Sequence, residues 1–456
     1  MVRAIAVAIA IAKDLLLIVV PCHRLVGSNG SFVDYSGGIT SKRLLLELKG
    51  FLNNLSYFSI KKKVMKRFFF RLCFILVALF CILYISPYNY LLRGISNIYL
   101  KGHTTAFLTD YESFPNDSVY AAAQPQAWPL HSQFNQFVTS KTLEDYHKDR
   151  KTVAYLVIKS DSILYEKYYD AFGVNSKSNS FSVVKSLISA LMGIAIQEGA
   201  IKSLDQKVVD FIPELKGPYA KEVTVGDLSS MASGQKWSEE YYNPFSVTSA
   251  SYFVKDLDAL ILDQPIIEKP GKAFHYQSGT TQLLGMVIKK ATGKNLSAYL
   301  TEKLWQPMGA EQTALWQWDS TKNRMEKAFC CLATNARDFA RFGKLYKDHG
   351  KWNGKQLLDS TFVALSVKPR FEESPEYGYG WWLDVFEKKK VFMMRGHLGQ
   401  YVLVVPEEDL IVVRLGHLKD KEKESDGKTS GREPFTNDIY VYLKSGLEMI
   451  KNVSKN

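Results

Sequence analysis

Ser182-Val183-Val184-Lys185 sets an amine three residues after a hydroxyl. On a helix that spacing puts both side chains on one face, a turn apart. A serine hydroxyl is a poor nucleophile until a neighbouring group takes its proton. An amine beneath it is a candidate base. Two distant segments could complete such a site. Tyr276-Gln277-Ser278 offers a phenol as a second proton carrier. His397-Leu398-Gly399 offers a strand edge against which an oxyanion could be held.

Ser-x-x-Lys occurs four times, at Ser59, Ser182, Ser233 and Ser425, and its surroundings separate them. Ser59 sits in a lysine run, Ser233 precedes Gly234 in a turn, and Ser425 lies in a charged stretch. Ser182 follows Phe181 and is itself followed by Leu187, Ile188, Leu191, Met192 and Ile194. That is the apolar spacing of a buried helix. A lysine pointing into such a helix needs a reason, because burying an unpaired ammonium is costly. Taken singly, Tyr276 reads as readily as a core aromatic, and His397 as a turn or strand histidine. Trp237, Tyr241, Trp381 and Trp382 could wall a pocket or fill a core.

The elements that must position these residues follow from pattern. Residues 152–158 and 162–168 read as a hairpin around Lys159-Ser160-Asp161. Helices begin at Ser182, Thr281 and Ala336. Strands return at 379–383, 391–395, 401–405 and 410–415, and a last helix covers about 434–450. Strands at both ends around a helical middle predict an α/β (α+β) fold. It would be an antiparallel sheet flanked by helices, with a helical insert domain. The sequence shows no internal repeat, metal-ligand spacing or phosphate loop, so no metal or other cofactor is expected.

From about Ala127 onward the chain resembles the serine β-lactamase and penicillin-binding-protein superfamily, in its class C and family VIII esterase-like branch. Ser-x-x-Lys is one of the motifs of such enzymes. The surrounding phrases agree in order and separation. Val223-Thr224-Val225-Gly226-Asp227-Leu228 leads into Met231-Ala232-Ser233-Gly234. Pro270-Gly271-Lys272-Ala273-Phe274-His275-Tyr276 leads into Leu283-Leu284-Gly285. Ala336-Arg337-Asp338-Phe339-Ala340-Arg341 and Gly396-His397-Leu398-Gly399-Gln400 follow. The resemblance implies Ser182 as the acylated nucleophile, Lys185 as the lysine that helps deprotonate it, and Tyr276 as general base and acid. It implies that His397, Gly399 and Ser278 face the substrate, and that the backbone amides of Ser182 and Gln400 form the oxyanion hole. The pattern departs from the β-lactamases at Ser278, usually Asn, and at His397, often Lys. Both departures favour a short ester, amide or peptide at least as much as a β-lactam.

Charge is unevenly spread. The net charge is +12, and between Lys42 and Arg71 nine Lys or Arg face one acid, Glu47. That block abuts Phe68-Phe69-Phe70-Arg71 and an uncharged run from Leu72 to Ile85. The run is close to the ~20 residues a membrane span needs, and Arg71 can snorkel to the headgroups. No small-x-small cleavage site follows, so an uncleaved anchor is expected in place of a signal peptide. The basic flank predicts a cytoplasmic N-terminus in the inner membrane and a periplasmic catalytic domain.

Residues 1–50 contain Pro21-Cys22-His23-Arg24-Leu25-Val26-Gly27, with Tyr35-Ser36-Gly37-Gly38 and Lys42-Arg43-Leu44 after it. This segment resembles the C-terminal part of the methylated-DNA–protein-cysteine methyltransferases. The resemblance implies Cys22 as alkyl acceptor, His23 as its activator and Arg3 as the residue that fills the gap left by a flipped base. The family's activating glutamate falls at Lys49, so the relay that would make a thiolate lacks its carboxylate. The fragment is expected to be an inactive remnant without functional nucleic-acid binding. The expected organisation is the fragment at 1–50, a basic linker at 51–67, an anchor at 68–86, a juxtamembrane arm at 87–126 and the hydrolase domain at 127–456. No disulfide framework is expected, and adjacent Cys330 and Cys331 are poorly placed to bond to each other. The expected activity is a membrane-anchored serine hydrolase acting through an acyl-enzyme. The alternatives are a β-lactamase or D-amino-acid peptidase proper, a penicillin-binding receptor that never turns over, and DNA repair by residues 1–50.

Overall fold

The structure, a computed structural model, describes residues 59–421 and 435–453. The chain divides into two units, residues 1–104 and 105–456.

In the first unit, α1 (Ser59–Ile85) is one helix of 27 residues. Residues 59–67 of the stretch expected as a linker form its opening turns. The segment Phe68–Ile85 spans 18 residues with a mean hydropathy of 2.7, and none of it is buried. At 1.5 Å per residue that is about 27 Å, near the ~30 Å of a bilayer core. The helix stops where Ser86 Oγ turns back to the Leu83 carbonyl (2.8 Å) and Pro87 removes a donor. A short helix, α2 (Tyr90–Asn97), follows.

The second unit runs in chain order through β1 (Asn116–Val119), α3 (Lys141–Asp149), β2 (Thr152–Lys159), β3 (Ser162–Tyr168), β4 (Ser178–Asn179) and α4 (Val184–Gln197). Then come α5 (Val225–Ser229), α6 (Val247–Phe253), α7 (Leu257–Leu262), α8 (Ser278–Thr292) and α9 (Leu296–Leu300). The second half holds β5 (Ala314–Gln317), β6 (Leu332–Thr334), α10 (Ala336–Lys347), β7 (Lys351–Trp352), β8 (Lys355–Gln356) and α11 (Ser360–Ser366). It ends with β9 (Trp382–Phe386), β10 (Lys389–Gly396), β11 (Gln400–Val405), β12 (Leu410–Gly416) and α12 (Asn437–Val453).

The main sheet has the order β3-β2-β12-β11-β10-β9, with every pair antiparallel. Side chains alternate between its faces. Leu156, Ile158, Val402, Val404, Ile411, Val413, Phe392 and Met394 join the core built around α4, α8 and α10. Tyr155, Val157, Tyr401, Leu403, Val412, Val391 and Met393 join a second core with Tyr442, Leu443 and Leu447 of α12. With both faces covered, the strands read as unbroken apolar runs such as Val402-Leu403-Val404-Val405. The expected hairpin is present, and Ser160 (φ 46°) and Asp161 (φ 59°) both take left-handed backbone at its tip. That matches the right-handed twist of the strands they join.

A second, four-stranded sheet has the order β1-β5-β6-β4. Its first strand comes from the segment expected as a juxtamembrane arm, so the compact unit begins at Thr105 and not near Ala127. Burial explains the difference. Leu108 and Asp110 are fully buried, and Asp110 accepts hydrogen bonds from Asn179 Nδ2 (2.8 Å), Gln317 Nε2 (3.0 Å) and the Tyr252 hydroxyl (2.5 Å).

The Ala336-Arg337-Asp338-Phe339-Ala340-Arg341 phrase is a structural clamp. Asp338 accepts from Arg341 Nε (2.8 Å) and from the Glu311 and Gln312 amides (both 2.9 Å). Arg337 grips Glu166 of β3 with two nitrogens (2.8 and 2.6 Å). One expectation is corrected. Cys330 and Cys331 are joined as a disulfide, and Cys331 takes left-handed backbone (φ 75°).

Candidate active site

The loop that carries Ser182 is pinned on both sides. The Ser180 amide donates to the Leu332 carbonyl (2.7 Å), the Leu332 amide to Ser180 Oγ (3.1 Å), and the Phe181 amide to Asn179 Oδ1 (2.9 Å). Phe181 is held at φ 45°, a conformation that costs a bulky residue about 1–3 kcal/mol unless its surroundings impose it. Ser182 therefore sits in a tight 3-10 turn, Phe181–Val183, immediately before α4. It lines a cavity of about 460 Å³ with Tyr276, His397, Tyr241, Trp382 and Arg395.

One turn further on, Lys185 is 3 % exposed. Its amine donates to Ser278 Oγ (2.9 Å), and the Ser278 hydroxyl donates to Glu239 Oε1 (2.5 Å). Glu239 also accepts from the Ser278 amide (2.7 Å), Trp237 Nε1 (2.7 Å) and the Tyr241 hydroxyl (2.6 Å). Those four donors fill the acceptor sites of a carboxylate. The Lys185 amine also lies 5.0 Å from the Tyr276 ring centre. Burial pulls the Lys185 pKa down to about 8, against the opposing pull of the Glu239 charge. A buried ammonium with one neutral hydrogen-bond partner loses hydration, and its neutral form gains.

The expected hydrogen-bond convergence of Ser182, Lys185 and Tyr276 takes a different form here. Lys185 is hydrogen-bonded to Ser278, and among the described residues Ser182 Oγ makes no hydrogen bond. Ser278, expected at the substrate, is buried behind the cavity wall with its hydroxyl committed to Lys185 and Glu239. Gly399 and Gln400 also stand outside the wall. The Gln400 side chain ties the turn to the sheet, donating to the His397 carbonyl (3.1 Å) and the Gly416 carbonyl (2.7 Å).

Tyr276 enters just ahead of α8, and its ring packs on Trp382 (5.2 Å between centres) and Tyr377 (6.3 Å). His397 stands between the rings of Phe181 and Tyr241, both 5.5 Å away. It opens the turn from β10 to β11, where Leu398 (φ 62°) and Gly399 (φ 84°) are both left-handed. The preceding Gly396 allows close approach, because a Cβ there would lie 2.5 Å from the Ser180 carbonyl oxygen. Of the four candidate wall aromatics, Tyr241 and Trp382 line the cavity. Trp237 backs Glu239, and Trp381 belongs to the core.

Two residues escaped the sequence reading. Glu239 lies in the polar run Trp237-Ser238-Glu239-Glu240, where nothing marks one acid from its neighbour. Arg395 carried a signal, a lone cation at the end of the apolar strand Val391-Phe392-Met393-Met394. Arg3, Cys22 and His23 lie outside the described residues.

Residues 137–431 match the Beta-lactamase family, and residues 2–51 match the 6-O-methylguanine DNA methyltransferase DNA-binding domain. The chain is 26 % identical over 302 residues to the 6-aminohexanoate-dimer hydrolase of Paenarthrobacter ureafaciens, covering 61 % of this chain and 76 % of that one. A Bacillus anthracis structure provisionally described as a 6-aminohexanoate-dimer hydrolase aligns with a TM-score of 0.63 at 20 % identity, over 82 % of this chain and 96 % of that one. The D-amino acid amidase of Ochrobactrum anthropi aligns with a TM-score of 0.51 at 18 % identity, over 69 % of this chain and 98 % of that one. At these identities the two structures establish the fold.

Proposed function

The chain belongs to the β-lactamase family as a serine hydrolase of β-lactamase fold, and on that premise we propose that it cleaves small amides or esters through an acyl-enzyme on Ser182. One observation carries this reading. The buried Lys185 amine lies below the cavity wall that holds Ser182 and Tyr276, with its pKa drawn down to about 8. A lysine so tuned is neutral in a useful fraction near neutral pH, as a proton acceptor must be.

Ser182 Oγ attacks the carbonyl carbon as its proton passes to Lys185. The carbonyl oxygen takes up the charge facing the Ser182 amide, while the Gln400 amide, expected to share that task, stands outside the cavity wall. Tyr276 delivers a proton to the departing amine or alcohol, and the C–N or C–O bond breaks. Water then adds to the acyl group by the reverse proton path and frees Ser182. Ser278 and Glu239 act as positioning residues. Glu239 turns the Ser278 hydroxyl proton away from Lys185, so the Lys185 amine must donate to Ser278 Oγ, and its remaining valences are left for Ser182 and Tyr276.

The fit of amides and esters over β-lactams rests on Ser278. Its committed hydroxyl is a poor substitute for a substrate-binding amide side chain. The reading also has α1 anchor the enzyme in the inner membrane, with the catalytic unit in the periplasm, and it holds the fragment at 1–50 inactive. Incubation with a p-nitrophenyl ester and with a fluorescent penicillin tests the proposed chemistry. Sustained ester turnover is the expected result. A stable penicillin adduct without ester turnover would make the protein a non-hydrolysing receptor.

A further inference from the structure

Phe181 holds a costly left-handed conformation one residue before Ser182. The hydrogen bond from its amide to Asn179 Oδ1 (2.9 Å) helps impose it. That bond is the side-chain turn by which an asparagine fixes the residue two positions on. It requires Asn179 to present its oxygen to the Phe181 amide and not its nitrogen. The two ends of an asparagine have nearly the same shape and opposite hydrogen-bonding roles, so nothing in the turn itself decides between them.

The choice is made from behind. Asn179 is fully buried, and its Nδ2 donates to Asp110 Oδ1 (2.8 Å) and to the Tyr252 hydroxyl (3.1 Å). Asp110, fully buried as well, also accepts from Gln317 Nε2 (3.0 Å) and from the Tyr252 hydroxyl. Burial pushes its pKa up, and the Tyr252 and Asn179 hydrogen bonds and the Lys327 charge oppose that push. An ionised carboxylate can only accept, so Asp110 selects the Nδ2 end of Asn179. Turned over, Asn179 would set its oxygen against that carboxylate and its nitrogen against the Phe181 amide. Both mismatches fall at a depth where an unmatched polar group is expensive. The main chain joins at the same place, because the Asn179 amide donates to the Leu108 carbonyl (2.8 Å). Leu108 and Asp110 belong to the stretch ahead of the family-matched residues 137–431.

We propose that Asp110 is a positioning residue for the nucleophile, acting through Asn179 and Phe181 to hold the turn that presents Ser182 to the cavity. It reaches the reaction only through those two residues. The stretch around Asp110, expected as a juxtamembrane arm, thereby serves the reaction and not only the attachment of the domain. The role rests on the acyl-enzyme reading given above, since a turn that presents no nucleophile has nothing to position.

The test follows fluorophosphonate labelling of Ser182 over time in the full-length protein, in Asp110→Asn, Asp110→Ala and Asn179→Ala, and in the double variant of the two alanines. The final extent of labelling counts the folded molecules. The rate constant reports how well each of them presents Ser182. It is expected to fall about 10- to 100-fold in Asp110→Ala and in Asn179→Ala, as a slightly misplaced reacting group does. Asp110→Asn, which can still turn an oxygen toward Asn179, should fall only severalfold. On the Asn179→Ala background, Asp110→Ala should cost nothing further, because both act through one path. A merely structural Asp110 would lower the extent and leave the rate constant alone. A wild-type rate constant in either Asp110 variant therefore overturns the proposal, however small the folded fraction. So does an Asp110→Ala loss that persists in full on the Asn179→Ala background. Failure of the wild-type protein to label at Ser182 would instead sink the hydrolase reading, and this role with it.

Discussion

At the scale of single residues, the account turns on which proton goes where. Lys185 can accept a proton only when neutral, and its pKa sits at about 8. The rate constant kcat/KM should therefore fall as pH drops below about 8, since that parameter follows the free enzyme. The groups facing Lys185 are Tyr276 and, through Ser278, Glu239, with His397 and Arg395 across the cavity. The Glu239 charge pulls the Lys185 pKa upward. Glu239→Gln should accordingly move the acidic limb of the pH–rate profile to lower pH, while a purely structural role would reduce the rate and leave the limb in place. Tyr276→Phe should lower turnover by about 10²–10⁴-fold, and a wild-type rate in that variant would remove Tyr276 from the proton path. The meeting of Ser182, Tyr276 and His397 at one cavity could be read because each sits in a phrase with recognisable neighbours. Ser278 was expected to face the substrate, and the structure buries it against Lys185 and Glu239. Its role depends on Glu239, which reaches it from a loop 39 residues away in sequence, and no local pattern records such a meeting.

At the scale of elements, the strands of the main sheet could be read because helices cover both of its faces. Burial then demands apolar runs such as Leu410-Ile411-Val412-Val413. The small sheet could not be read. β4 and β6 are two and three residues long, too short to show a period, and β1 is the polar sequence Asn116-Asp117-Ser118-Val119. What holds β1 in place is its pairing with β5, a long-range fact. The α10 phrase shows that a family-like stretch need not carry chemistry. Asp338 is fully buried and serves two backbone amides and a buried arginine. Asp338→Ala would take from Arg341 the nearer of its two carboxylate partners, leaving Glu311 (3.0 Å), and the loss should approach the lower end of the about 3–5 kcal/mol that breaking a buried ion pair costs. Chemical denaturation should show that loss, and a midpoint unchanged from wild type would contradict the clamp.

At the scale of the whole molecule, three unlike pieces lie on one chain: a methyltransferase-like fragment at 2–51, an exposed apolar helix, and a β-lactamase-family domain. The fragment and the helix were both legible, one by its Pro-Cys-His-Arg phrase and the other by hydropathy alone. A chain shortened to begin at Met65 keeps the apolar segment and the whole catalytic unit. It should retain membrane localisation and full ester hydrolysis. The full-length protein should take no radiolabelled methyl group from O6-methylguanine DNA, and methylated Cys22 would make it bifunctional. The most direct test of the central claim is covalent labelling of the full-length protein by a fluorophosphonate, with the adduct located by peptide mass spectrometry. The adduct should fall on Ser182 and disappear in a folded Ser182→Ala variant. An adduct on any other serine, or labelling that persists in that variant, would contradict the account.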